Sequence, residues 1–438
     1  MPRYLNIRKI ILFLGDVGLA YVSLFLTVLI GFYGSFSREI FIAHLLPFTI
    51  LYFFWLVIFF VFGLYELNLI KTRFDFYPRL FGASIAGLAV GMVFFYLVPL
   101  FTVTPKTNLV LNVALFGFLA FVWRKLFYFL FASLFLNRAA ILGKSEDAKT
   151  LAQEIGRRPY VGYKMVAMLD ESDNLLLTIQ EKKIDTLILD EALGLNFNLI
   201  QNLYQCLPTS IELLDLAVAY EIVCEKIPVS SVDQNWFLEY IRKKDKELYG
   251  QFKDFWDAIF SLLLLIISLP LWLLIAICVK LEDRGPVFYS QERVGKNRRV
   301  FRLRKFRSMR VNAEKSGPVW AKTGDTRVTK VGRIIRRLHL DELPQMINIL
   351  KGELSLVGPR PERPEFVEQL AREIPYYHLR HLIKPGFTGW AQIKFRYARS
   401  IMDSREKFQY DLYYLKNRSL LVDIGVMLKT IQLLIKKD

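Results

Sequence analysis

Apolar and polar positions follow two different patterns along the chain. Over the first third the apolar residues come in long blocks, at 10–33, 45–65, 80–101 and 109–122. About 20 apolar residues suffice for a helix to cross a bilayer. The pattern predicts a four-helix membrane block over 1–137. Its last helix is short and continues past Trp123, Arg124 and Lys125 as an interfacial helix through Phe135. No cleavage site of small residues follows the first block, so it reads as an anchor and not as a removed signal peptide.

From 138 to 235 the apolar runs shorten. AAILG at 139–143, DTLIL at 185–189 and the run 211–216 read as strands, with a helix near 146–155. Strands alternating with helices predict a small Rossmann-like α/β module. It opens as a nucleotide-binding fold does, with strand, Gly143 and helix. A GxGxxG pattern is absent, however, which favours a structural or regulatory module over a dinucleotide site.

A fifth apolar block, 258–281, has the length of another crossing. Its flanks argue otherwise. Arg242, Lys243, Lys244, Lys246 and Lys253 precede it, and a longer series of cations from Arg284 to Arg310 follows. Both flanks belong on the cytoplasmic face by the positive-inside rule. Pro270 near its middle removes a backbone donor, and Ser268 can bond a freed carbonyl. The expectation is a re-entrant helix–break–helix over 255–281, with its break at Ser268 and Pro270. The shorter loops agree: Arg3, Arg8 and Lys9, then Lys71, Arg73 and Arg79, then Arg124, Lys125 and Arg138 put both ends of the N-terminal block in the cytoplasm.

Composition fits a membrane protein. The chain has 438 residues, 53% hydrophobic, against roughly 45–50% for soluble proteins. Cys206, Cys224 and Cys278 are widely spaced and form no CxxC pair, so the compartment reads as reducing and a thiolate metal site is excluded. The formal net charge is +17, much of it within 293–337. No nucleic-acid-binding module accompanies that charge. Next to a membrane-embedded segment, it fits anionic lipid or a diphosphate substrate better.

The candidate chemistry lies at 336–361, RRLHLDELPQMINILKGELSLVGPRP. Asp341 and Glu342 are adjacent carboxylates just after Arg336, Arg337 and His339, and a Gly-Pro-Arg-Pro turn follows at Gly358 to Pro361. Carboxylates can bind Mg²⁺ or attack phosphorus, and Arg forks neutralise phosphate oxygens. Lys305, Arg307 and Arg336 are the basic residues assigned to substrate phosphates. His378 and His381, with Tyr376, Tyr377, Arg380, Leu382 and Lys384, read as an amphipathic interfacial helix and not as a metal site.

Several strings carry a resemblance: GPVFYSQERVG (285–295), FRLRKFRSM (301–309), GDTRVTKVGRIIRR (324–337), LDELPQMINILKGELSLVGPRPERPEF (340–366), KPGFTGWAQIKFR (384–396) and YDLYYLKNRSLLVD (410–423). Residues from about 252 to 435 resemble the bacterial sugar transferase domain of the monotopic polyprenol-phosphate phosphoglycosyl transferases. The N-terminal block and α/β module resemble that family's long form, whose members prime exopolysaccharide, capsule or O-antigen synthesis. The resemblance implies an integral membrane protein of α and α/β parts. Its C-terminal catalytic domain, 250–438, would carry the re-entrant helix and amphipathic helices. The implied reaction moves a sugar-1-phosphate from a UDP-sugar to undecaprenyl phosphate and releases UMP, through a covalent phosphosugar intermediate on Asp341.

The resemblance also implies residue roles. Asp341 and Glu342 would be catalytic and hold Mg²⁺, with Glu342 as metal ligand or proton handler. Arg360, fixed by Pro359 and Pro361, would grip a phosphate, and Arg396 would lie near the nucleotide. Asp423 and Asp411 match late acids that support the site. Where the family often has Asn-Gly in a turn, this chain has Asn297-Arg298. Expected partners are a UDP-sugar, undecaprenyl phosphate and the lipids of the bacterial inner membrane, with the catalytic domain on the cytoplasmic face and no nucleic acid. The large apolar block could support a homodimer. Nothing in the sequence selects the sugar. The rival reading is a non-catalytic membrane scaffold that recruits polysaccharide machinery, and the intact carboxylate pair and Pro-Arg-Pro turn speak against it.

Overall fold

A computed structural model of the chain describes residues 3–65, 73–97, 106–131, 136–158, 161–171, 173–190, 197–209, 211–232, 246–311, 313, 326–395 and 400–435. It divides into two compact units, Met1–Cys224 and Glu225–Asp438. The fold is mostly helical, with four apolar helices at the N-terminus and a small parallel sheet after them.

In the first unit, α1 (Arg3–Gly31), α2 (Arg38–Val61), α3 (Arg73–Leu97) and α4 (Lys106–Phe131) surround a core of large apolar side chains, among them Leu24, Phe48, Trp55 and Phe116. Each contains a stretch long and apolar enough to cross a membrane. Two polar rungs join α1 to α4. Arg124 donates to both carboxylate oxygens of Asp16 at 2.8 Å, and both side chains are fully buried. Asn112 donates to Ser23 Oγ at 3.2 Å and Thr27 Oγ1 at 3.0 Å, and accepts from the Tyr52 hydroxyl at 3.0 Å. Arg124 therefore does not face solvent as a loop cation. It lies inside α4, where the Asp16 carboxylate and the rings of Phe59 and Tyr65 replace water around its charge. Residues 132–135, expected to end the interfacial helix, lie outside the described residues, as do Lys71, Arg242, Lys243 and Lys244.

The α/β module follows as β1 (Asn137–Leu142), α5 (Glu146–Arg157), β2 (Tyr163–Leu169), α6 (Leu175–Lys182), β3 (Thr186–Leu189), α7 (Phe197–Cys206), β4 (Glu212–Asp215) and α8 (Leu216–Cys224). The strands are parallel in the order β2-β1-β3-β4. That order places a topological switch point between β1 and β3, where doubly wound folds place ligands. Here the Asp190 side chain packs against Gly143 and accepts from the Ser145 amide at 3.0 Å. Residues 225–232, expected to complete this module, instead pack in the second unit: Ile227, Val229 and Val232 share a core with Phe408 and Leu412, and the Ile227 amide donates to the Gln409 carbonyl.

The second unit is built along α9 (Lys246–Asp283), which runs as helix without interruption through Pro270. The expected loss of helix at Ser268–Pro270 is therefore not seen. Ser268 Oγ donates to the Leu265 carbonyl at 3.1 Å and accepts from Trp272 Nε1 at 3.0 Å. A stripe of α9 at helical spacing, Asp257, Ser261, Leu265, Ser268, Trp272, Ile275 and Val279, is buried or half-buried. Leu265 packs with Leu303 and Met346, Trp272 with Phe288 and Phe306, and Ile275 and Val279 with Phe306 and Ile335. The other faces of α9 expose Leu263, Ile267, Leu273, Leu274 and Ile277.

After α9 comes an antiparallel hairpin, β5 (Phe288–Val294) and β6 (Val300–Phe306). Its turn carries Asn297 and Arg298 at φ 54° and 63°, a left-handed conformation that glycine adopts more easily. The remaining elements are α10 (Lys330–Arg337), α11 (Gln345–Leu350), β7 (Ser355–Val357), α12 (Pro364–Glu373), β8 (Gly386–Thr388), α13 (Trp390–Lys394), α14 (Ile401–Asn417) and α15 (Leu420–Ile435), with β7 and β8 parallel. The segment around His378 and His381 is a 3-10 helix, Tyr377–Leu382, whose Tyr377, Arg380 and His381 are buried. It is not an amphipathic interfacial helix, because Asp411 meets the Arg380 charge inside the unit.

Candidate active site

Asp341 and Glu342 occupy a single 3-10 turn, Leu340–Glu342, entered through His339 at φ 55°. The turn is held from both sides. Leu340 and Leu343 pack into the cluster of Ile275, Phe306 and Ile335, while Met346 and Ile349 on α11 pack with Leu303. Asn348 then ties α11 to β6: its Nδ2 donates to the Arg302 carbonyl at 2.8 Å, and its Oδ1 accepts from the Arg304 amide at 3.0 Å. This fixes Lys305, the next residue on β6, opposite the turn. Lys305 Nζ donates to Glu342 Oε1 at 2.6 Å.

Arg360 reaches the same oxygen from the Gly358–Pro361 turn, with Nη2 at 2.8 Å. That turn is pinned by backbone pairing. Gly358 N donates to the Thr388 carbonyl and Gly386 N to the Pro359 carbonyl, each at 2.9 Å. The two chains approach so closely that a Cβ on Gly386 would run into the backbone of Gly358. Arg380 Nη2 donates to the Arg360 carbonyl at 2.9 Å, and Arg293 Nη1 to the Pro361 carbonyl at 3.1 Å.

The two carboxylates are alike in burial and opposite in electrostatics. Burial pushes the Asp341 carboxyl above its usual range, with Lys305, Arg336 and His339 pulling down and Glu342 adding to the rise. Burial acts on Glu342 in the same sense, but the charges of Arg360 and Lys305 outweigh it and hold that carboxyl well below the usual range. Asp341 accepts no hydrogen bond from any described residue, although its side chain is buried. The site thus pairs one firmly ionised, doubly held carboxylate with a second that is poised and unengaged.

The structure brings together Asp341, Glu342, Lys305 and Arg360, with Arg336 near enough for its charge to act on Asp341. Arg307 does not join them. It is buried and pairs with Asp283 at the end of α9. Arg396 lies outside the described residues. Asp411 pairs with Arg380 at 2.9 Å, and Asp423 accepts from Tyr249, Lys253 and Tyr414 at 2.6–2.7 Å. Arg293, Glu362, Arg380, Lys407 and Asn348, which frame the turn and the hairpin, carry no local sequence signal of that role. Among the described residues no group of three or more His, Cys, Asp or Glu could hold a metal ion. The donors at hand are the two adjacent carboxylates. They suit an Mg²⁺ that completes its shell with water and substrate phosphate, as that ion commonly does.

Residues 248–437 match the sequence profile of a family described as bacterial sugar transferase. A UDP-N-acetylgalactosamine-undecaprenyl-phosphate N-acetylgalactosaminephosphotransferase of Aeromonas hydrophila is 48% identical over 185 residues, 42% of this chain and 44% of that one. A UDP-glucose:undecaprenyl-phosphate glucose-1-phosphate transferase of Caulobacter vibrioides is 36% identical over 184 residues, 42% of this chain and 69% of its own. A protein with the same activity in its name, from Xanthomonas campestris pv. campestris, is 32% identical over 318 residues, 67% of this chain and 66% of that one. The match spans less than half the length of the Aeromonas relative and about two thirds of the other two.

Proposed function

The chain belongs to the bacterial sugar transferase family, and from that premise we propose that it transfers a sugar-1-phosphate from a UDP-sugar to undecaprenyl phosphate. The observation that carries the reading is Asp341: a buried carboxylate free of hydrogen bonds among the described residues, beside the charges of Lys305, Arg336 and Arg360. In the first step an Asp341 oxygen attacks the phosphorus that bears the sugar. The bond from that phosphorus to the bridging oxygen breaks, UMP leaves, and a phosphosugar–aspartate remains. In the second step an undecaprenyl phosphate oxygen attacks the same phosphorus. Undecaprenyl-diphosphate sugar forms and the Asp341 carboxylate is released. Splitting the transfer avoids direct attack of one phosphate anion on another.

Glu342 is a poor proton handler, because Lys305 and Arg360 keep it ionised. Its work is to hold those two cations where diphosphate oxygens arrive. The Arg336 side chain, which makes no hydrogen bond or ion pair among the described residues, is placed to take a phosphate oxygen. Mg²⁺, held by Asp341 and Glu342, would screen the diphosphate charge.

Over 185 and 184 aligned residues, the relative named for N-acetylgalactosamine is 48% identical and the one named for glucose 36%, which favours an N-acetylhexosamine donor. For the membrane we propose a protein of the bacterial inner membrane whose second unit sits on the cytoplasmic face. In this reading α9 embeds in one leaflet without crossing. Its support is that polar groups at both ends of α9, Lys253 and Asp257 at one and Glu282 and Asp283 at the other, bond to the same unit. A crossing helix would have to draw that charged unit through the bilayer.

Purified protein with Mg²⁺, undecaprenyl phosphate and a panel of UDP-sugars tests the chemistry. UMP release should be fastest with UDP-N-acetylgalactosamine and absent in Asp341→Asn. Mass spectrometry of quenched wild-type protein should find the sugar phosphate on Asp341. Full UMP release from Asp341→Asn would overturn the assignment.

A further inference from the structure

Helix α14 carries a polar stripe on a buried face. Lys407, Asp411 and Tyr414 recur at i, i+4 and i+7, and Asp411 and Tyr414 are 2% and 1% exposed. Lys407 and Tyr414 meet the short segment that bears Arg360 directly, and Asp411 reaches it through Arg380. Lys407 Nζ donates to Glu362 Oε1 at 2.7 Å. The Tyr414 hydroxyl lies 3.1 Å from the Val357 carbonyl oxygen and 2.6 Å from Asp423 Oδ1. Asp411 lies 2.9 Å from Arg380 Nη2, the same nitrogen that donates to the Arg360 carbonyl at 2.9 Å. Arg380 also donates to the Tyr377 hydroxyl and is 4% exposed.

Burying a charged pair this deeply is a poor route to stability, since apolar side chains of similar volume pack a helix at least as well. The stripe therefore needs another explanation, and its targets supply one. Val357, Arg360 and Glu362 span the turn that aims a guanidinium at Glu342. Pro359 and Pro361 stiffen that turn without fixing where it sits.

We propose that the Lys407–Asp411–Tyr414 stripe is a splint for this turn, and that Asp411, acting through Arg380, is a positioning residue that sets where Arg360 stands for the donor diphosphate. The inference rests on the reading of Arg360 as a phosphate grip. It adds that the two late acids do different work: Asp411 sets the turn, while Asp423 anchors the start of α9 through Tyr249 and Lys253.

The test is a double-mutant cycle on the full chain in bilayer discs, with the amount of folded protein set by size-exclusion chromatography. UMP release is measured for Asp411→Asn, Arg360→Lys and the pair. A misplacement of about 1 Å at a reacting group costs on the order of 100-fold. Asp411→Asn should therefore lower kcat/KM by roughly 10- to 100-fold, with KM for the UDP-sugar raised. A mere loss of folded molecules would lower the rate at unchanged KM. The double variant should fall within about threefold of Arg360→Lys alone, because the splint has nothing left to aim. Losses that multiply, or wild-type kcat/KM in Asp411→Asn, overturn the splint. Wild-type activity in Arg360→Lys instead overturns the phosphate grip. Should Asp411→Asn not fold, Tyr414→Phe, which removes one hydroxyl, goes through the same cycle with the same two readings.

Discussion

Replacing Lys305 by Met keeps the length of the side chain and removes its charge. Lys305 shares one oxygen of Glu342 with Arg360, at 2.6 Å and 2.8 Å. The raw Coulomb attraction at the shorter distance is roughly 6 kcal/mol at an effective dielectric of about 20. Desolvation of the ammonium offsets much of that. What remains for a hydrogen bond to a charged group is about 1.5–3 kcal/mol. The Lys305 side chain is 21% exposed and that of Glu342 9%, so solvent screening takes little from that figure. A charge-assisted contact of that same size from Lys305 to a donor diphosphate oxygen in the transition state makes Lys305→Met lower kcat/KM for the UDP-sugar by about 10- to 150-fold, at about 1.4 kcal/mol per decade.

A second signature follows from sign. Lys305 is the strongest of the charges that pull Asp341 down against burial, so its loss lets the Asp341 pKa climb further. A protonated Asp341 cannot attack phosphorus. Activity therefore rises with pH through that pKa, and the acid limb of kcat/KM moves to higher pH in the variant. UMP release at donor concentrations below KM, followed across pH, reads both effects. A kcat/KM within twofold of wild type, together with an unmoved acid limb, would refute the reasoning.

Two further outcomes concern stability. Arg124→Leu strands the buried Asp16 carboxylate and should cost the first unit about 3–5 kcal/mol, most of it recovered when Asp16→Leu is added; thermal unfolding in detergent that ranks single and double variants equally would contradict this. In the second unit, burial pushes the Glu362 carboxyl up, but Lys407, Arg380 and Arg293 hold it at about 2, while burial lowers His381 to about 3. Both groups bind more protons when unfolded, so their contribution to stability is whole above the unfolded values, 6.5 for His381 and 4.5 for Glu362, and is lost as pH falls from there to the folded values of about 3 and about 2. Denaturant unfolding followed by tryptophan fluorescence should show stability declining from pH 7 to pH 3, and a flat profile would exclude these contributions.

Legibility from sequence tracked how local each signal was. The four N-terminal helices announce themselves by continuous apolar length, and β1, β3 and β4 by short apolar runs. Strand β2 carries a comparable run, MVAML at 165–169, but as an edge strand it keeps most of those residues only half-buried. The carboxylate pair and the Pro-Arg-Pro turn stand out because each is a compact string. Their partners do not: Lys305 lies on a strand far upstream, and Asp16 and Arg124 come from opposite ends of the first block. Arg307 shows where a sound local rule stops. Two residues beyond Lys305 it should share that face of the strand, but β6 ends at Phe306 and the guanidinium turns to Asp283. Arg380, set between two histidines, read as the polar edge of a surface helix because the acid that neutralises it arrives only at Asp411.

The ties of α9 link the apolar exposed helix of the second unit to the candidate site. Near its start, Asp257 accepts from Ser355 Oγ at 2.6 Å, on the strand that runs directly into the Arg360 turn. Near its end, Glu282 caps the amides of Lys330 and Val331, which open the helix that leads to Asp341. Between these points its buried stripe packs on the hairpin that carries Lys305. The helix is therefore part of the frame that sets the distance between Asp341 and the cations around it. An anchor needs only apolar surface, which the exposed faces of α9 supply. The buried Asp257, Ser261 and Ser268 have no place in that task. Asp257 bonds to the strand ahead of the Arg360 turn and Ser268 to Trp272, which packs on the hairpin. A bend in α9 would thus move Arg360 relative to Asp341, which makes the packing of this helix a condition for the proposed chemistry.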